Sequence, residues 1–394
     1  MIRRTRVAVI VTRAEAGAGG VAVRGALSLD PARYEVVVCA ASGGPGLSRA
    51  RDLGLQTVEL RHLRPELRPW NDWAAYRELT DVIAALDPDV VHTHSAKAGA
   101  LGRLAAARLG VPAIVHTLHG FPFHEFQSWP RRRAYIEVER RLGRLTSCTL
   151  AVGTAVAAQA VRLGLCAPDR VRAIGATVEP GGWGRTAVQR AAARRLLAAP
   201  PGTRVVGTVG RLSYQKAPED FVEAIRLLDR RDVLGVWVGD GPDRARTQRR
   251  IIRLGLQERI TLLGHREDVA ALLPGFDVFA MTSRYEGLPC AVVEAMACGV
   301  PVVATAVNAV PDVVVPGETG LIVAPQRPQQ TAAAIAHLLD DPVRAQQLAI
   351  RARDSLGERF CVVELGRVLD ATYTSCLAQA GLAPPEPAMA RRTA

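Results

Sequence analysis

The sequence predicts an α/β protein made of two doubly wound parallel-sheet domains, and three observations carry that prediction. Its 394 residues suit two or three domains at roughly 150 residues each. Short apolar, β-branched runs alternate with longer amphipathic stretches, the pattern of buried parallel strands covered by helices. The rhythm breaks once near the middle of the chain and then restarts.

In the first half, strands are expected at 6–12, 34–40, 89–93, 113–117, 149–152 and 171–174, with helices over 71–86, 97–109, 130–145 and 154–163. The break at 175–185, where Gly181, Gly182 and Gly184 follow Pro180, reads as an interdomain linker. Strands resume at 204–209, 235–238, 259–263, 278–281, 300–305 and 320–323. This assigns residues 1–180 to a first domain and 181–360 to a second. Residues 383–394, with Pro384, Pro385, Pro387, Arg391 and Arg392, read as a disordered tail.

With 48% hydrophobic and 22% charged residues, the composition excludes fibrous and fully disordered chains. No apolar run approaches the roughly 20 residues of a membrane-spanning helix. Arg3, Arg4 and Arg6 before Val7–Val11 imitate a signal peptide, but Arg13 ends a run that is too short. The 7 cysteines form an odd set without a C-x-x-C pair, which argues against a disulfide framework or zinc ribbon and for a reducing cytoplasm. A net charge of +12 implies an anionic partner: nucleic acid, acidic lipid or a phosphorylated ligand. At 5% aromatic residues the chain offers little to stack on bases, so no nucleic-acid partner is expected.

In open parallel sheets ligands sit beyond the carboxyl ends of the strands, so chemistry is sought in the loops there. Gly207–Lys216 runs from a strand through the Gly210 turn and places Arg211 and Lys216 on one loop. A guanidinium fork and an ammonium point charge can together clamp a diphosphate, and the following helix, 217–228, would aim its N-terminal amides at the same anion. Each cation alone reads equally well as a solvated charge. Glu286-Gly287-Leu288-Pro289 leads into a helix over 290–297 that carries Glu294, with seven residues between the two acids. A carboxylate facing paired sugar hydroxyls accepts charge-assisted hydrogen bonds worth roughly 1.5–3 kcal/mol each. Glu294 is flanked by the apolar Val292, Val293, Ala295 and Met296, which argues against a plain surface charge.

In the first domain, His119-Gly120 ends a strand and would project from it, although a lone histidine there is more often structural. Gly17, Gly19 and Gly20 follow the first strand and permit close backbone approach, without a full G-x-G-x-x-G. Two arrangements are decoys. Asp87-Pro88-Asp89 has a D-x-D form but reads as a helix-to-strand turn, and His92 and His94 share a strand face without a third metal ligand at useful spacing.

No single motif is decisive, but their order is. The glycine–Arg211–Lys216 segment, the Glu286/Glu294 pair and the His119-Gly120 turn resemble the retaining family 4 glycosyltransferases, which have the GT-B fold, over essentially the whole chain. The resemblance implies that Gly210, Arg211 and Lys216 bind the diphosphate of a nucleotide-sugar donor. It implies that Glu294 holds the ribose and that Glu286, Gly287 and Leu288 meet the sugar. His265 and Arg266, after Gly264, would lie beside the base, Gly20 would approach from the opposite lobe, and His119 would touch the transferred sugar. It further implies that residues 361–382 pack back on the first domain, and that neither a metal nor another cofactor is required.

A retaining glycosidase uses paired carboxyls; here Glu125 is the only first-domain candidate. The expected mechanism is therefore front-face substitution, with Lys216 and Arg211 stabilising the leaving diphosphate. UDP-sugars are favoured over GDP-sugars. The acceptor side is sought at Phe121–Gln127, with His124, Glu125 and Gln127, and on the arginine-rich helix that follows. That helix could rest on an anionic membrane or be simply solvated. A lipid-linked acceptor in envelope polysaccharide or glycolipid synthesis follows from the first reading, a soluble acceptor from the second. A sugar-nucleotide 2-epimerase of the same fold stays open as a different class.

Overall fold

A computed structural model describes residues 3–15, 17–175 and 183–382, at 359 by its backbone alone. The chain divides into two units, Met1–Thr177 with Glu358–Ala394, and Val178–Gly357.

The first unit runs β1 (Thr5–Val11), α1 (Ala18–Ser28), β2 (Tyr34–Ala41), α2 (Pro45–Asp52), β3 (Gln56–Leu60), α3 (Pro69–Leu86), β4 (Val90–His94), α4 (Ala96–Arg108), β5 (Ala113–Leu118), α5 (Trp129–Arg144), β6 (Cys148–Val152), α6 (Thr154–Arg162) and β7 (Val171–Ile174). All strands are parallel, in the order β3-β2-β1-β4-β5-β6-β7. β4, β5 and β6 are buried along their whole length, as strands covered on both faces must be. β3 was not expected from the sequence. It is an edge strand whose Gln56 and Glu59 face solvent, so it lacks the continuous apolar run that marks its neighbours.

The second unit comprises α7 (Ala187–Leu196), β8 (Arg204–Val209), α8 (Pro218–Leu227), β9 (Val233–Val238), α9 (Arg244–Arg253), β10 (Ile260–Gly264), α10 (Val269–Leu272), β11 (Val278–Met281), α11 (Cys290–Ala297), β12 (Val302–Thr305), β13 (Leu321–Val323), α12 (Pro328–Asp340) and α13 (Pro342–Ser355). Its six parallel strands are ordered β10-β9-β8-β11-β12-β13, so the order reverses between β8 and β11. A crevice beyond the carboxyl ends of strands at such a reversal is where open α/β sheets bind ligands.

The last helix, α14 (Val362–Gln379), belongs to the first unit. It turns Leu365, Leu369, Tyr373 and Cys376 inward at helical spacing. A Cβ on Gly366 would come within 2.6 Å of the Ser28 carbonyl, so a small residue is required where α14 crosses α1. Asp370 fixes the register by accepting from Arg33 at 2.5 Å and from the Tyr34 hydroxyl at 2.7 Å. Of the linker expected at 175–185, residues 176–182 lie outside the described residues, as does the expected tail at 383–394.

Candidate active site

In the second unit the site is built on a tryptophan. Trp237 of β9 is fully buried against Phe221 of α8, edge to face at 5.5 Å, and its indole Nε1 donates to the Gly210 carbonyl at 2.8 Å. The core thereby holds the loop that follows β8. The loop after β9 closes on the same backbone: Gly210 N donates to Val238 O at 2.9 Å and Leu212 N to Asp240 O at 3.0 Å. Gly239 has φ 135°, and a Cβ there would lie 2.1 Å from the Gly210 carbonyl. No other residue fits.

Against this loop the structure brings together two of the residues expected to converge. Lys216 Nζ donates to Glu286 Oε1 at 2.5 Å, and the Lys216 stem lies across Gly210. Gln215 Nε2 donates to Glu286 Oε2 at 3.3 Å and to the Tyr285 carbonyl at 3.0 Å. Glu286 is buried, whereas the Lys216 side chain keeps 20% of its surface exposed. An ammonium has three donors, so Lys216 can hold Glu286 and still present a proton to an incoming anion.

Arg284 was not foreseen. Its guanidinium stacks on the Tyr214 ring at 4.3 Å, donates to the Tyr214 carbonyl at 2.7 Å and pairs with Glu219 at 2.9 Å. It therefore ties the loop after β11 to the loop after β8 and sets the approach of Glu286 to Lys216. The sequence signal was slight, an arginine two residues before Glu286 with no spacing that names Tyr214.

Other expected residues sit as follows. Arg211 is exposed and makes no ion pair among the described residues, so the structure leaves only Lys216 of the two expected cations fixed by a partner. Gly287 and Leu288 are buried at the entry to α11, and Glu294 is a half-buried position between buried Val293 and Ala295. The loop after β10 meets that after β9 through Gly239 N donating to Gly264 O at 2.8 Å. There His265 is exposed, while Arg266 spends its fork on Asp268, at 2.7 and 2.5 Å.

In the first unit the glycines of the loop after β1 have different surroundings. A Cβ on Gly20 would meet only the flexible Arg24 guanidinium, at 3.3 Å, but one on Gly19 would meet the Arg13 carbonyl at 2.2 Å. Gly19 is the residue the turn requires.

The decoy pair His92 and His94 has a role after all. Parallel pairing sets His94 beside Thr117 of β5, so His119, two residues on, reaches back to it. His94 Nδ1 and His119 Nε2 are 2.9 Å apart. His92 bonds the Thr117 hydroxyl and the Tyr373 hydroxyl, each at 2.7 Å, and its ring packs against that of His94, tilted by 35°, at a centroid distance of 4.2 Å. Burial pushes His119 down to about 4 and His92 to about 3, and drives His94 and His116 well below the ordinary histidine value. These imidazoles are neutral at pH 7. Among the described residues no group of three or more His, Cys, Asp or Glu is arranged to hold a metal ion.

Phe121–Gln127 folds on itself around buried Phe123. Gln127 Oε1 accepts from His124 N at 3.2 Å and Gln127 Nε2 donates to Pro122 O at 3.4 Å, so Gln127 shapes the loop. Half-buried His124 is shifted below the ordinary histidine value, first by burial and then by Arg131, and Glu125 is exposed. α5 is anchored by a buried ion pair, Arg103–Glu139 at 2.8 Å, and leaves Trp129 and most of its arginines at the surface.

Residues 189–355 match the family model described as Glycosyl transferases group 1, and residues 16–180 match Glycosyltransferase Family 4. The chain belongs to the family 4 glycosyltransferases. This glycosyltransferase is 30% identical over 225 residues to the Escherichia coli UDP-Gal:alpha-D-GlcNAc-diphosphoundecaprenol alpha-1,3-galactosyltransferase, covering 56% of this chain and 58% of the relative. It is 32% identical over 173 residues to an alpha-D-kanosaminyltransferase of Streptomyces kanamyceticus, covering 43% of this chain and 45% of the relative. The chain thus aligns with only about half the length of these curated relatives. Among solved structures it resembles Anabaena HepE, crystallised with UDP and glucose, at a TM-score of 0.84 and 21% identity over 94% of this chain and 100% of that one. That likeness gives the glycosyltransferase its GT-B fold.

Proposed function

We propose that this glycosyltransferase moves a glycosyl group from a UDP-sugar to a hydroxyl acceptor with retention at the anomeric carbon and without a metal. The observation that carries the reading is the Lys216–Glu286 contact beyond β8 and β11, where the strand order reverses. A buried carboxylate beside a partly exposed ammonium offers an acceptor for sugar hydroxyls next to a donor for phosphate oxygens. UDP beside glucose in the Anabaena protein and the UDP-galactose named in the E. coli relative support a UDP-sugar over a GDP-sugar.

In this reading the bond from the anomeric carbon to the diphosphate oxygen breaks as the acceptor oxygen bonds to the same face. The departing phosphate oxygen takes the acceptor's proton. Lys216, with Arg211 recruited from solvent, stabilises the charge that grows on the diphosphate, in a role worth roughly 3–4 kcal/mol. Glu286 with the backbone of Gly287 and Leu288 holds the sugar, Glu294 the ribose, and His265 and Arg266 flank the base. His119, kept neutral by burial, offers the sugar a hydrogen bond rather than a charge.

For the acceptor, a lipid-linked sugar of envelope polysaccharide or glycolipid synthesis is supported by the diphosphoundecaprenol in the E. coli relative's name and by the exposed arginines of α5. Among the described residues no helix is long and apolar enough to cross a membrane, so contact with a bilayer would be peripheral. A soluble acceptor is the second reading, favoured by the 2-deoxystreptamine in the name of another Streptomyces kanamyceticus relative, a glucosyltransferase. Incubation with radiolabelled UDP- and GDP-sugars, with and without lipid extract, tests both. Lipid-extractable product from a UDP-sugar supports the first reading and product from soluble alcohols alone the second; turnover without any acceptor contradicts transfer.

A further inference from the structure

A cavity of about 390 Å³ opens between α8 and α9, and none of the side chains assigned above to the donor lines it, although Pro218 and Glu219 in its wall belong to the helix that follows Lys216. Its charged lining is Arg246, Arg249, Arg250 and Arg253 of α9 with Glu219 and Asp243. The spacing of three, one and three residues sets all four arginines on one face of α9, opposite the buried Thr247 and Ile251. Neutralisation of this face is incomplete. Glu219 is committed to Arg284 at 2.9 Å, and Arg250 pairs with Glu223 at 3.1 Å. Arg246, Arg249 and Arg253 form no ion pair among the described residues, which leaves Asp243 as the one uncommitted acid of the lining. The Nε–H of Arg250 is buried there without an acceptor.

Like charges at helical contact spacing repel, and Arg246 in the first turn of α9 also opposes the helix dipole. A surface helix that concentrates cations in this way around a cavity is stabilised by an anion seated among them. Guanidinium forks match phosphate oxygens in bidentate geometry. We infer that the α8–α9 cavity is a second anion site that binds a diphosphate-bearing ligand through Arg246, Arg249 and Arg253, separate from the donor site at Lys216. The same chemistry is offered by a free diphosphate and by the phosphates of a lipid headgroup.

The test is calorimetric titration of inorganic pyrophosphate into the full chain, into Lys216→Ala and into the double variant Arg249→Ala/Arg253→Ala, with circular dichroism confirming the fold of each. The inference predicts binding that persists in Lys216→Ala and weakens at least tenfold in the double variant. Should the double variant not fold, Arg246→Ser carries the same comparison with a loss of at least threefold. Affinity within twofold of the parent in the arginine variants, or loss of all binding in Lys216→Ala, overturns it. Flotation with phosphatidylglycerol vesicles then assigns the source. Vesicle binding that disappears in the arginine variants identifies a headgroup, and pyrophosphate binding without vesicle binding identifies a free ligand. If neither pyrophosphate nor vesicles bind, the inference fails.

Discussion

Lys216 and Glu286 lie 70 positions apart in the chain and meet at 2.5 Å, Nζ to Oε1. The contact joins the loop after β8 to the loop after β11, and Arg284 clamped on Tyr214 holds the two loops in register. A ligand entering this crevice meets an ammonium already placed and a carboxylate already desolvated. Neither group has to be ordered when the ligand arrives, which is the physical content of preorganisation.

Lys216→Ala should lower turnover by two to three decades, following the roughly 3–4 kcal/mol attached to a donor that stabilises transition-state charge. Gln215 still holds Glu286 in that variant, so the thermal unfolding midpoint should move little. Steady-state kinetics alongside thermal melts separate the two effects, and a loss below fivefold would remove Lys216 from the leaving-group role.

Gly239→Ala should damage the donor site through the backbone. The new methyl would press on the Gly210 carbonyl at a φ of 135°, displacing the turn on which Lys216 rests. The expected outcome is at least a tenfold weaker donor KM, with far-ultraviolet circular dichroism unchanged. Wild-type kinetics would mean that the two loops are not rigidly coupled.

The buried histidines make stability depend on pH. Their folded-state values lie below the unfolded value of 6.5, at about 3 for His92 and about 4 for His119. Between pH 6.5 and about 4 the unfolded chain therefore binds protons that the folded chain refuses, and stability falls as pH falls through that window. The urea midpoint of the first unit's transition should be lower at pH 5 than at pH 7.5. Equal midpoints would indicate that these imidazoles can charge without unfolding.

Arg103→Ala should cost about 3–5 kcal/mol, because it leaves the buried Glu139 carboxylate unpaired. The double variant Arg103→Met/Glu139→Leu should recover most of that loss. Denaturant titration of both variants checks it, and an equal cost in the two would show that shape rather than charge matters between α4 and α5.

Much of this architecture was legible because buried parallel strands announce themselves as apolar runs. The edge strand β3 was not, since the exposed Gln56 and Glu59, on opposite faces of the strand, interrupt the signal. The convergence of Lys216 with Glu286 could be expected from the order of the motifs along the chain. The partners of those residues could not. Arg284 acts through a ring 70 positions away, and His94 reaches His119 only through the register of β4 on β5. His92 and His94 looked like an incomplete metal pair because alternation along a strand places both on one face whatever their purpose. Nor does spacing alone say that a Cβ on Gly19, rather than on Gly20, would strike the Arg13 carbonyl.

The central claim is that the loops beyond β8, β9 and β11 form one nucleotide-sugar site. Calorimetric titration of UDP into the full chain, into Lys216→Ala and into Glu294→Ala tests it most directly. The expected result is a UDP site weakened at least tenfold by either substitution, through the diphosphate in the first case and the ribose in the second. Undiminished UDP affinity in both variants would contradict it.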